Sequence, residues 1–156
     1  MGTGLAWILL ALLTLMLLAA SAWDLRTRTI PNSLVAAMAL FALPFWWATG
    51  LAPWPDAALQ VGVAILVFGL FAAAFAMGAM GGGDVKLIAA LALWLPWQAV
   101  LMLLVIMSLA GGALTAAMLI RKRLARSPDA IEVPYGVAIA FGGLWLIAQR
   151  FLYHFG

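Results

Sequence analysis

Apolar residues in this chain fall into six runs, at 5–22, 33–49, 57–77, 86–96, 98–120 and 134–153, with only short polar stretches between them. A helix needs roughly 20 apolar residues to cross a bilayer's hydrocarbon core. Five of the runs suit that length. The fourth is short and is stopped by Pro96 in LWLPWQ. A helix there either starts earlier, inside the glycines at 81–83, or runs on past Pro96 as one kinked helix over 86–120. Six spans are expected. Only 8% of the 156 residues are charged and 68% are hydrophobic, whereas a soluble domain carries about a quarter charged residues. The expected fold is therefore all-α, a single integral-membrane domain over residues 1–156. Intrinsic disorder is excluded. The absence of cysteine excludes a disulfide scaffold, a thiolate-ligated metal and a cysteine nucleophile. The run Leu5–Ala22 has no basic flank, since Asp24 is the first charged residue. It reads as a retained first helix rather than a cleaved signal.

Basic residues orient these spans. With six crossings, the loops at 23–32, 78–86 and 121–133 share one side, and they hold Arg26, Arg28, Lys86, Arg121, Lys122, Arg123 and Arg126. Arg150 alone lies opposite. Such an asymmetry puts the basic side in the cytoplasm and both termini outside. Five spans would split the basic residues between the two faces. The net charge of +3 is small and sits in these loops, so it reports topology rather than a nucleic-acid partner. Two complete spans separate Asp24 from Asp84, which returns both carboxylates to the cytoplasmic ends of helices.

Two carboxylates held close together share one proton and titrate as a unit. Such a pair can activate water and protonate a carbonyl without metal or cofactor. Asp56 falls on the opposite side. Asp129 and Glu132 belong to the loop carrying RKRLAR, and Glu132 is near enough to the last span for an accessory role. Gly81, Gly82 and Gly83 precede Asp84. They permit bending, left-handed backbone and close approach of a substrate chain, or an extended edge for a peptide. The bland reading is a flexible loop with Asp84 capping the next helix. No Lys-Ser/Thr follows the glycines, so a nucleotide loop is excluded. Asp24 meets the unfavourable end of a helix dipole and needs a partner, for which Arg26 and Arg28 are candidates. Pro31 sets the entry to the second helix. Lys86 reaches either lipid headgroups or the aspartate pair. The eight tryptophans read as interfacial or lipid-facing residues. Gly111, Gly112, Gly142 and Gly143 read as close helix contacts. His154, the lone histidine, reads as bland. An alternative function is a transport or assembly subunit whose acids serve ion passage or helix capping. Ion passage would require acids at mid-membrane depth.

These residues resemble the type IV prepilin peptidases, the A24-type membrane aspartyl proteases of the GxGD class. Asp24 and Pro31 in DLRTRTIPN match the family's aspartate followed seven residues later by proline. Gly81-Gly82-Gly83-Asp84-Val85-Lys86 matches GxGDxK, and VPYGVAIAFGG at 133–143 looks like the entry to its last helix. The presenilin branch shares GxGD but pairs it with Tyr-Asp in an apolar helix, whereas here Trp23-Asp24 stands beside basic residues. Gly136 is followed by Val137 where many longer relatives have a second proline. The resemblance implies an aspartic endopeptidase of the bacterial inner membrane. Asp24 and Asp84 would be catalytic, with Gly81, Gly82, Gly83, Lys86, Arg26, Arg28 and Pro31 shaping the site. It implies prepilin or pseudopilin precursors and membrane lipids as partners, and no cofactor or metal. Longer members also methylate the new terminus and many carry a cysteine-bearing cytoplasmic domain. This chain looks like the short form of Flp-type, tight-adherence pilus systems, for which neither zinc nor methylation is expected.

Overall fold

The computed structural model of the chain describes residues 2–125 and 133–155. Six helices follow one another: α1 (Gly2–Thr27), α2 (Asn32–Thr49), α3 (Ala58–Ala76), α4 (Gly82–Ala92), α5 (Trp97–Ala125) and α6 (Tyr135–Phe155). Among the described residues, α1, α2, α5 and the segment Pro53–Ala76 containing α3 are each long and apolar enough to cross a membrane. The chain is an all-α polytopic membrane protein. Arg126, Asp129, Glu132 and the side chain of His154 lie outside the description.

Four helices close into a ring. α1 and α4 each pack against both α2 and α6, while α3 leans chiefly on α4 and α5 chiefly on α6. Leu13 and Leu17 of α1, Met38 of α2, Leu87, Ile88 and Leu91 of α4, and Ile139 of α6 fill the interior. Lipid is as apolar as leucine, so helices associate in a bilayer through close packing rather than through hydrophobic exclusion from water. Gly142 and Gly143 supply that closeness. A Cβ on the first would stand 2.9 Å from Leu103 of α5, and one on the second 2.9 Å from Leu91 and 3.0 Å from Leu17. Gly111 does the same beneath Tyr135, whereas Gly112 has open space above it. Ile8, Leu15, Leu40, Ile65, Leu66 and Leu109 stay largely exposed and face lipid.

The fourth run forms its own helix, because the chain turns at 93–96 instead of kinking through Pro96. At 11 residues, α4 is about 16 Å long, roughly half a hydrocarbon core. A helix ending early exposes carbonyls that lipid cannot satisfy. Here indole and amide donors meet them. Trp46 Nε1 donates to the Leu93 carbonyl at 2.7 Å, and Gln60 Nε2 donates to the same oxygen at 2.8 Å and to that of Leu95 at 3.1 Å. Trp94, fully buried, donates from Nε1 to the Met38 carbonyl at 2.9 Å and stacks tilted on Phe45, centroids 4.9 Å apart. Trp46 and Trp94 are thus structural pillars, a correction to their reading as interfacial residues. Trp47 and Trp54 remain exposed. Arg150 places its guanidinium 5.5 Å over the Phe45 ring, within cation–π range.

Candidate active site

Asp24 lies in the last turn of α1 and Asp84 in the first turn of α4. Both carboxylates are buried, at 5% and 8% exposure, and they are the buried polar side chains of the described residues. Both line one cavity of about 450 Å³, together with Arg28, Gly78, Ala79, Met80, Gly81, Val133 and Tyr135. The floor is therefore built from three places: the end of α1, the turn into α4 and the start of α6.

The local sequence makes each approach possible. α1 closes when the Arg28 N–H donates to the Asp24 carbonyl at 3.0 Å. Arg28 adopts φ +55°, a left-handed conformation that a side chain with Cβ disfavours. This turn points Arg28 into the cavity. Gly78, at φ +74°, ends α3 in the same conformation at no steric cost.

The three glycines before Asp84 act differently from the flexible or extended run expected. Gly81 is the extended residue preceding α4, and Gly82 and Gly83 already belong to the helix. Their contribution is room. A Cβ at 81 would stand 3.0 Å from Oδ2 of Asp84, one at 82 would press on Phe75, and one at 83 would meet Ile30 at 3.3 Å. Asp84 makes no side-chain cap of α4.

At the entry to α6 the N–H groups of Gly136 and Val137 lie close to the Asp24 carboxylate. This is the positive end of a helix dipole, which favours an anion. A Cβ at 136 would stand 2.7 Å from Oδ2 of Asp24. That oxygen is buried and has no hydrogen-bond partner among the described residues. Asp84 stands two residues ahead of the apolar run 86–96. Its carboxyl is pushed up to about 7, first by burial and then by the negative charge of Asp24, with the Gly81 N–H pulling the other way.

The structure places the remaining expected residues unevenly. Arg28 and Gly81 line the cavity, and Gly82 and Gly83 sit just behind it. Pro31 precedes α2 as its cap residue, while Arg26 is exposed and off the cavity. Lys86 points away to donate a 3.1 Å hydrogen bond to Oδ1 of Asn32, a partner different from either one expected. Tyr135, Met80 and Gly136 were missed as individual site residues. Only the contact of Gly136 with Asp24 shows why a proline-aromatic-glycine motif should open α6.

Residues 11–116 match the type IV leader peptidase family. The chain belongs to that family. Among curated relatives of this leader peptidase family member, the prepilin leader peptidase/N-methyltransferase of Aeromonas salmonicida strain A449 is 32% identical over 139 residues, covering 86% of this chain and 46% of the relative. The like-named protein of Pectobacterium carotovorum subsp. carotovorum is 32% identical over 126 residues, covering 78% and 44%. That of Aeromonas hydrophila is 30% identical, covering 86% and 47%. The chain spans less than half the length of these relatives. No solved structure matches it.

Proposed function

We propose that this leader peptidase family member is an aspartic endopeptidase of the bacterial inner membrane. It removes the basic leader from prepilin-like precursors, at the cytoplasmic surface where the leader meets an apolar helix. The observation carrying this reading is the pair of buried carboxylates, from α1 and α4, on one cavity. A transport subunit would want acids at mid-depth, whereas these sit in terminal turns of their helices. With the basic loops inside, both chain termini face outward.

In the resting pair one proton serves two carboxylates. The ionised member takes a proton from water as the oxygen attacks the scissile carbonyl carbon, and the protonated member gives its proton to the carbonyl oxygen. A gem-diol results. On collapse, the carboxyl that gained the water's proton donates to the amide nitrogen and the C–N bond breaks. The other carboxylate recovers a proton from the diol hydroxyl, so the pair again holds one. The Gly136 and Val137 amides and Arg28 help the site hold the remaining negative charge.

The test is cleavage of a co-expressed or purified prepilin precursor, scored by its size shift. Asp24→Asn and Asp84→Asn should each lower the rate by about 10³-fold or more while the protein stays folded. A chelator should leave the rate unchanged. A purified variant of either aspartate that keeps a tenth of wild-type activity, on the order of one decade, sinks the dyad.

A further inference from the structure

The connection between α1 and α2 reaches every element that carries the site. At its start, the Arg28 N–H is bonded to the carbonyl of Asp24 itself. At its middle, buried Ile30 lies against two positions where glycine alone leaves room. A Cβ on Gly83 of α4 would stand 3.3 Å from the Ile30 Cβ, and one on Gly136 of α6 would stand 3.0 Å from its Cδ1. At its end, Asn32 Oδ1 accepts the 3.1 Å bond from Lys86 Nζ on α4, both side chains lying at the surface. The segment is thus fastened to the helix of one aspartate, wedged against that of the other and clamped to it again two residues beyond Asp84.

We propose that this connection is the spacer that sets the separation of Asp24 and Asp84, with Ile30 as its wedge and the Asn32–Lys86 bond as its clamp. The inference rests on the reading that the two aspartates act together. Ile30, Asn32 and Lys86 are then positioning residues, outside the lining of the cavity that holds the aspartates. A pair that passes one proton depends on ångström-level placement, and a misplacement of about 1 Å costs up to about 10²-fold in rate. Among the described residues, the charged and titratable groups around Asp84 are Asp24 from α1, Arg28 from the connection and Tyr135 from α6. Lys86 leaves the same turn in another direction.

The experiment uses the full chain in proteoliposomes with a prepilin precursor. Lys86→Met and Asn32→Leu each remove the clamp at the surface and leave Ile30 packed. Each should lower kcat about tenfold with KM unchanged within about twofold. The alkaline limb of the kcat–pH profile should also move to lower pH, because a looser pair repels less and its upper apparent pKa falls. The double variant should be no slower than either single one. Lys86→Arg and Asn32→Asp, which keep a charged or polar clamp, should recover most of the rate, and Ile30→Val should outperform Ile30→Ala. Wild-type kcat and pH profile in Lys86→Met and Asn32→Leu would overturn the spacer. So would a lowered kcat with an unmoved pH limb that the conservative variants do not restore. The two aspartate variants run alongside separate the failures. Activity in either one removes the dyad, whereas inactivity there with wild-type clamp variants removes the spacer alone.

Discussion

At the scale of single residues, the site is defined by what one position leaves out and by one conformation that another sustains. Gly136 stands so near Asp24 that the methyl of Gly136→Ala would enter the space of its Oδ2. That variant should lose about 10²-fold in cleavage rate and, because its methyl also meets the buried Ile30, melt at a lower temperature. Arg28 holds a left-handed backbone that glycine adopts freely. Arg28→Gly should therefore raise stability by about 1 kcal/mol in a detergent melt and at the same time lower cleavage, because the cavity loses its cation. A variant that gained both stability and rate would remove Arg28 from the site. On the proposed mechanism the pair works while holding one proton, and burial with the neighbouring Asp24 charge pushes the Asp84 carboxyl up to about 7. As pH rises through about 7 the shared proton leaves, so the rate falls on the alkaline side, measurable as an alkaline limb in kcat between neutral and mildly basic buffers.

At the scale of elements, α4 carries both the shortest helix and the second aspartate, and its far end is held by groups on α2 and α3. Removing Trp46 Nε1 or Gln60 Nε2 weakens the hold on the Leu93 carbonyl. Trp46→Phe and Gln60→Leu should each cost about 1–2 kcal/mol. The double variant should cost more than the sum, since the carbonyl then has no donor left; thermal unfolding of all three proteins reads this directly. The same helix shows how far the sequence could be read. Apolar run length alone located six helices, because lipid leaves the backbone little choice. The apolar run 86–96 is offset from α4 by four residues at each end: the helix does open inside the glycines, at Gly82, and the chain turns at 93–96, before Pro96 can act as the stop. In fact Phe75 and Ile30 pack into the space that Gly82 and Gly83 leave, which makes those glycines good helix residues here. Counting crossings put both aspartates on one face, but it could not show that they share a cavity, nor that Gly136 lies against Asp24. Such contacts join residues more than 50 apart in sequence, and a hydrophobicity pattern carries no trace of them. Trp94 was misread for a related reason. Its composition suits an interface, and only its bond to the Met38 carbonyl turns it inward.

At the scale of the whole molecule, orientation is the property most open to direct measurement. The chain has no cysteine, so a single introduced thiol reports its side without background. With the proposed topology, Gly4→Cys should react with a membrane-impermeant maleimide added outside intact cells, and Lys122→Cys only after permeabilisation; the reverse pattern would invert the molecule and move the site to the wrong face. The ring of α1, α2, α4 and α6 holds the aspartates, while α3 and α5 each rest mainly on one neighbour. α3 and α5 thus each have one main neighbour to tilt against when a bilayer thickens or thins, and we expect the ring to keep its spacing. Reconstitution into lipids of graded acyl length should then change the cleavage rate by less than about twofold over several ångström of thickness. On the proposed function, leader removal from prepilin-like precursors would then keep a steady pace in a membrane whose lipids are remodelled with temperature.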